Sequence, residues 1–361
     1  MTSTAAGIRI TADTLADGRD IIYFDDAGSA LPAARSADAR ELDPRPSTAH
    51  MRQDVLTGEW ITVAASRSNR AHLPPAELDP LAPQTASNPS EVPSDYDVVV
   101  FENRSPSFGP AHHAIDGVEE IGFERSLESV GRCEVVCFSP AHDGSVANLP
   151  TTRVRTIIEA WAHRTEALSA LPGVAQVFPF ENRGQAIGVT LHHPHGQIYA
   201  YPYVTPRTQQ LLRSIERIGP DLFQQLLERE QASERVLIRG EHFTAFVPFA
   251  ARWPLEIHVL PHRHVPDLAA LSDEERDELA ELYPRLLRGL DALYPDPTPY
   301  IAAWHQAPVA HRDTVRLHLE ITSPRRAEHK LKFLAGSEAA MGAWVGDLVP
   351  EQTAARLREV L

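Results

Sequence analysis

At 361 residues and 43% apolar content, the chain can bury one large core or two of ordinary size. Its 34 basic against 49 acidic residues, net charge −15, exclude general nucleic-acid binding, so an anionic ligand has to be met by a local cluster of donors. No apolar run approaches the ~20 residues of a membrane span, and residues 1–7 lack the basic and apolar regions of a secretory signal.

Residues 1–50 hold an alternating patch, Ile8-Arg9-Ile10, then a run from Arg19 to Asp26 and an Ala/Ser/Asp/Pro-rich stretch. This predicts a short strand or hairpin and a flexible connector, with no chemistry-bearing group. Residues 54–64 read as a turn and a strand ending in Ser66-Arg67-Ser68-Asn69-Arg70, where two arginines on a loop are, by pattern alone, a solvated surface. Residues 95–108 form a buried-type strand running into a loop, with 98–101 as plain sheet core, and 109–130 are acidic and irregular. Residues 133–138 form a further strand carrying both cysteines of the chain. Cys133 and Cys137 are ~13 Å apart along a strand, beyond the ~7 Å Cα separation of a disulfide. Free thiols fit a reducing cytoplasm.

Val154, Ile157, Ile158, Trp161 and Leu168 recur at helical spacing over 151–168, with Thr151 or Thr152 as N-cap and Leu171-Pro172-Gly173 as the stop. The next strand runs into Phe180-Glu181-Asn182-Arg183-Gly184 and, after a glycine-punctuated loop, His193-Pro194-His195-Gly196-Gln197. Residues two apart on a strand share a face, so His193, His195 and Gln197 are expected to project together. Pro194 and Gly196 suit places where a ligand or backbone comes close. A neutral imidazole is both a nucleophile and a metal ligand. After a helix-like stretch over 205–230, strands at 243–249 and 256–261 echo the earlier ones. A second amphipathic helix opens with Ser272 and Glu275 at capping-box spacing and runs to Leu293. Strands at 300–305 and 315–321 follow, and His318-Leu319-Glu320 takes the place of His193-Pro194-His195, so this second copy lacks the nucleophile.

The segment His193-Pro194-His195-Gly196-Gln197, with Phe180-Glu181-Asn182-Arg183-Gly184 before it, resembles the signature of the galactose-1-phosphate uridylyltransferase family, the transferase branch of the histidine-triad (HIT) superfamily. That branch carries Gln where hydrolases carry a third His. The resemblance implies an α+β, duplicated HIT-like fold whose two halves share an antiparallel sheet: an extension at 1–50, a catalytic half at 51–205 and a half without nucleophile at 206–361. It implies transfer of UMP between UDP-glucose and galactose 1-phosphate through a uridylyl-histidine on His195, with Gln197 assisting. Arg67, Arg70, Asn103, Arg104, Asn182, Gly188 and Thr190 become nucleotide and phosphate ligands. Lys332, Phe333 and Glu338 become sugar ligands, although a Tyr and a distal Gln of that segment are replaced by Ser337 and Trp344. A cytoplasmic homodimer acting on a nucleotide sugar and a hexose 1-phosphate, with neither nucleic acid nor membrane as partner, is expected. The altered tail keeps open a nucleoside diphosphate sugar phosphorylase or adenylyltransferase, and a non-catalytic nucleotide-sugar sensor is the alternative outside enzymes.

Many members of that family hold a structural zinc through a Cys-x-x-Cys pair and two histidines. Here Asp79 and Ala82 stand in the cysteine positions, leaving His142 and His193, with Asp79 as a third candidate. No cofactor is required by the expected chemistry, and zinc is weakened by loss of the pair. Some members bind a second metal through one Glu and three His. His305 and His318 match two of those positions, while Leu211 and Glu320 occupy the others, so both histidines are read as structural or weak ligands.

Overall fold

The computed structural model describes residues 2–43, 45, 49–64, 73–110 and 119–361. In chain order the first half contains β1 (Thr2–Ser3), β2 (Arg9–Thr14), β3 (Asp20–Asp25), β4 (His50–Gln53), β5 (Trp60–Val63), β6 (Val98–Glu102), β7 (Glu119–Ile121), β8 (Glu124–Glu128) and β9 (Arg132–Cys137). Helix α1 (Thr151–Ser169), β10 (Gln176–Arg183) and β11 (His195–Tyr201) complete it. The second half contains α2 (Pro206–Ile218), α3 (Leu222–Gln231), β12 (Val236–Arg239), β13 (Phe243–Phe246), β14 (Leu255–Pro261), α4 (Asp273–Ala292), β15 (Tyr300–His305) and β16 (His318–Ser323). The small hairpin β17 (Arg325–Ala327) and β18 (Lys330–Leu331) and helix α5 (Pro350–Arg358) close the chain.

One 12-stranded antiparallel sheet runs β1-β2-β3-β6-β9-β11-β10-β15-β16-β14-β13-β12. Counted outward from the β10–β15 pair, β10-β11-β9-β6 on one side matches β15-β16-β14-β13 on the other, the arrangement of a duplicated unit. Pairing sets Glu320 opposite His258 where the first copy sets His195 opposite Cys137. The position that matches His195 in the second copy is therefore a carboxylate. A separate four-stranded sheet, β5-β4-β8-β7, flanks the first half.

Helices α1 and α4 cover one face of the main sheet over the β10–β15 junction. Trp161 of α1 meets Trp304 of β15 and Tyr283 of α4 with ring centroids 5.6 and 6.2 Å apart, all three buried. Truncating such an aromatic costs ~3–5 kcal/mol, so this contact fastens the halves strongly. Period two then divides β11: Gly196, Ile198 and Ala200 are buried toward the helices, while His195, Gln197, Tyr199 and Tyr201 are half-buried on the open face.

Several local expectations change. Helix α1 starts at Thr151 itself, so neither threonine caps it and Pro150 holds the N-cap position without a side-chain bond. Helix α4 does carry the Ser272/Glu275 capping box. The 205–230 stretch is two helices, broken at Gly219, whose φ of +126° suits glycine, and at Pro220. The N-terminal hairpin is part of the main sheet, β3 pairing with β6 from Ile21↔Phe101 to Phe24↔Val98. The stretch after it is fastened rather than free: Arg35 pairs with Asp25 and donates to the Asp95 carbonyl at 2.9 Å. Both cysteines are buried free thiols. Among the described residues, no helix is long and apolar enough to cross a membrane.

Candidate active site

His195 opens β11, held between β9 and β10 by pairing on both sides. Its Nδ1–H donates to the His193 carbonyl at 2.7 Å. A carbonyl only accepts, so the proton is on Nδ1 and the Nε2 lone pair is left for chemistry. Burial lowers the His195 pKa below the ordinary imidazole value, which keeps the ring neutral at pH 7. The next residue is glycine because nothing larger fits: a Cβ on Gly196 would stand 2.8 Å from the Phe138 ring and 2.9 Å from the Phe180 carbonyl.

His193, expected beside His195 and Gln197, lies ahead of the strand instead. Pro194 has no N–H to enter the ladder, and pairing with β9 begins only at His195. The His193 ring is buried, its Nδ1 2.7 Å from Asp79 Oδ2 and its Nε2 2.7 Å from the Ser139 carbonyl. The same Asp79 oxygen lies 2.8 Å from His142 Nδ1, and Tyr96 hydroxyl stands 2.9 Å from His193 Nε2. Burial by itself raises the Asp79 pKa, but His193, with smaller contributions from the Leu81 N–H and His142, outweighs it and holds the carboxyl at about 2.

Two cavities meet at His195. The larger, about 690 Å³, is lined by Asn182, Arg183, Gln185, Ser145 and His192. The smaller, about 290 Å³, has Gln197 beside His195 and continues past Thr190, Leu81, Phe101, Asn103 and Arg104. The Asn103 side chain accepts from Ser105 N at 2.9 Å, and Arg104 donates to the Asp43 carbonyl at 3.1 Å. Gly188 ends a short turn over Gln185–Ile187 in the left-handed region, φ +84°. Arg67 and Arg70 lie outside the described residues.

The comparisons bear on the whole chain. Residues 39–205 match the galactose-1-phosphate uridyl transferase N-terminal domain, and residues 205–361 match its C-terminal domain. A galactose-1-phosphate uridylyltransferase of Streptomyces lividans is 42% identical over 97% of this chain and 97% of its own length. That of Thermotoga maritima is 35% identical over 86% of this chain and 98% of its own. A solved uridylyltransferase structure superposes with a TM-score of 0.76 at 32% identity, covering 86% of this chain and 98% of that one. The chain belongs to the galactose-1-phosphate uridylyltransferase family.

The zinc held by many uridylyltransferases has a poor match here. Asp79, His142 and His193 have ligand atoms within 4.8 Å of one another. Three donors without a cysteine pair fall one short of a closed structural site. Moreover, both imidazole Nδ1 atoms converge on the Asp79 carboxylate, and His193 Nε2 faces a carbonyl. The cluster is already closed by hydrogen bonds. A second cluster lies on the open face of the other half, where Glu320 does join His305 and His318. Those two rings stack with centroids 4.8 Å apart, and Glu320 is also held by Arg207. Burial pushes the His318 pKa down to about 3, keeping that ring neutral. Leu211 sits in an apolar cluster with Phe223 and Leu227 and offers no ligand.

The tail residues stand apart from His195. Lys332 is buried, its ammonium donating to the Arg252 carbonyl at 3.0 Å and pairing with Glu338 at 2.7 Å, while Phe333 is exposed. None of the three lines either cavity at His195. Trp344 packs on Trp253 beside a cavity that contains His305 and Glu320.

Sequence reasoning missed the support behind the motif. The Glu181 carboxylate is buried and accepts from Tyr283 at 2.7 Å and Tyr300 at 2.8 Å, both in the second half. Arg183 pairs with Asp291 of α4 at 2.7 Å. The strand end that carries Asn182 is thus held by the second half of the chain. Glu181 and Arg183 were visible as motif letters, but their partners lie more than a hundred positions away.

Proposed function

We propose that this chain exchanges UMP between UDP-glucose and galactose 1-phosphate in two displacements at His195. The observation that carries it is the imidazole at the junction of two cavities, its tautomer fixed by the His193 carbonyl so that Nε2 is unprotonated. Nε2 attacks the α-phosphorus of UDP-glucose, the bond from that phosphorus to the bridging oxygen breaks, and glucose 1-phosphate leaves with the electron pair. The departing phosphate monoester is a stable anion, so no general acid is needed. A phosphate oxygen of galactose 1-phosphate then attacks the same phosphorus, the P–N bond breaks, and neutral His195 is restored with UDP-galactose formed. Splitting the displacement is what a nucleophilic side chain supplies.

Gln197 lines the nucleotide cavity beside His195, where its amide donates to a phosphoryl oxygen and cannot relay a proton to water. Asn182 serves the phosphate from the other cavity, with Gly188 and Thr190 shaping the loop between, and Asn103 and Arg104 serve the nucleoside. Arg67 and Arg70 add phosphate contacts. Residues 51–205 are the catalytic half, and 206–361 support it. No metal is assigned a step. The tail set Lys332, Phe333 and Glu338, distant from its own chain's cavities at His195, supports a homodimer in which each tail serves the partner's hexose site. Two buried free thiols fit a cytoplasmic enzyme.

Incubation with UDP-glucose alone should add one uridylyl group at His195, labile to acid and stable to base, and His195→Ala should lose label and turnover while still binding nucleotide. Normal turnover by a native chain that takes no label would refute the double displacement. Pairing UDP-glucose or ADP-glucose with galactose 1-phosphate or inorganic phosphate separates this reading from the phosphorylase one.

A further inference from the structure

We propose that Glu91, held in place by arginines from residues 1–43, binds the ribose hydroxyls of the nucleotide sugar, making the N-terminal segment part of the nucleotide site. The inference rests on the transfer reading above and adds a recognition element to it. Residues 1–38 precede the part of the chain matched by the family's N-terminal domain, so the arginine at the centre of this device, Arg19, lies outside that match.

Glu91 lines the smaller cavity, the one that Gln197 shares with His195. Its carboxylate is partly exposed and is held by two arginines. Arg19, at the turn between β2 and β3, is fully buried; it donates to Asp17 at 2.8 Å, to the Glu102 carbonyl at 2.9 Å and to Glu91 Oε2 at 2.5 Å. Arg40, itself paired with Asp38 at 2.7 Å, stands 3.4 Å from the other Glu91 oxygen. The same segment supplies the Asp43 carbonyl that holds Arg104 at the cavity. A carboxylate has about four acceptor directions, so one guanidinium on each oxygen leaves others unfilled on a group that lines the cavity.

A bare carboxylate near a diphosphate would repel it. Arg19 and Arg40 are shared with Asp17 and Asp38, and Arg104, lining the same cavity, supplies the remaining positive charge that offsets Glu91 and leaves it an oriented acceptor. The cavity also presents Leu81, Phe101 and Val135 as apolar walls for a base. A carboxylate meets the uracil edge badly, because two carbonyl oxygens flank the single N–H there. A vicinal diol offers two donors and suits a carboxylate well, the pairing by which acidic residues hold ribose in dinucleotide sites. The ribose adjoins the α-phosphate that His195 attacks, in keeping with Glu91 and His195 lining one cavity.

The test compares UDP-glucose with its 2′-deoxy and 3′-deoxy ribose analogues in single-turnover labelling of His195, using the full-length chain. The native chain should label from UDP-glucose ~10- to 100-fold more efficiently than from the analogues, as for a hydrogen bond to a charged group. Glu91→Gln should raise the UDP-glucose KM by a similar factor, bring the analogues within about threefold of the parent, and leave the KM for galactose 1-phosphate unchanged. Arg40→Met should weaken ribose discrimination, with Arg40→Lys restoring part of it, a pattern that a merely structural arginine would not give. Arg40 carries this arm because replacing the fully buried Arg19 puts folding itself at risk. Native-like discrimination in Glu91→Gln, or none in the native chain, overturns the proposal while leaving the transfer reading intact. A native chain that takes no label from any UDP-sugar overturns both.

Discussion

Replacing Asp79 by alanine removes the carboxylate on which His142 and His193 converge and which also accepts from the Leu81 N–H at 2.9 Å. Three donors at a buried position lose their acceptor, and breaking a buried charged cluster from one side costs ~3–5 kcal/mol. The depressed pKa of the same carboxyl gives a second figure. The Asp79 carboxyl is held at about 2 against an ordinary value of 3.8, a difference worth ~2.5 kcal/mol. Because this pKa is depressed in the fold, the stabilisation is complete above pH 4 and is lost as pH falls through 2. The variant should therefore melt on the order of 10 °C lower at pH 7, with the gap from the native chain closing in strong acid. Catalysis should suffer as well. The His193 carbonyl orients His195, and a displacement of ~1 Å at a reacting group costs ~10²-fold. The assay is single-turnover uridylylation of His195 followed by mass, beside thermal unfolding and metal analysis of the native protein, where well under one zinc per chain is expected. Labelling by Asp79→Ala within threefold of native would refute the positioning argument. About one zinc per native chain, lost in the variant, would make Asp79 a metal ligand instead.

Gln197→Ala should slow transfer by ~10²-fold, the effect of losing a single donor that acts on developing charge, and a native rate would make the residue packing alone. Gln197→His supplies a group able to activate water and should raise hydrolysis of UDP-glucose to UMP, measured as UMP released without acceptor. The depressed His195 pKa predicts that labelling stays constant from pH 8 to below 6.5 and falls only in more acid solution, as the ring takes up its proton. A midpoint at or above 6.5 would contradict the burial argument.

Much of the site was legible because it is local. The period-two pattern over 195–201 placed His195 and Gln197 on one face, and the β11 burial pattern follows it. Ser272 and Glu275 capped α4 as their spacing required, since a capping box involves only four neighbouring residues. What failed depended on distant partners or on competition. Thr151 and Thr152 are good caps, but Pro150 is already in extended backbone, and the helix takes both threonines into its first turn. Arg19 and Glu91 are 72 positions apart, and nothing in either stretch announces the other. The N-terminal hairpin therefore read as an appendage with no chemistry. Asp79 was visible only as an odd residue in a cysteine position; that one carboxylate oxygen takes both imidazoles is a fact of three dimensions.

The junction of β10 with β15 has a consequence for how the chain is made. Synthesis delivers β10 more than a hundred residues before β15, so for a time β10 stands at the rim of an unfinished sheet with open N–H and C=O groups. Such rims recruit other chains and seed aggregates. The junction itself spans only Phe180↔Ala303 to Arg183↔Tyr300, and Pro179, which has no N–H to offer, sits immediately before it. Proline thus shortens the sticky rim on a nascent chain to the few residues that β15 will later cover. A fragment ending near residue 205 would keep that rim permanently, and it should be recovered chiefly as insoluble material unless the second half is supplied alongside it.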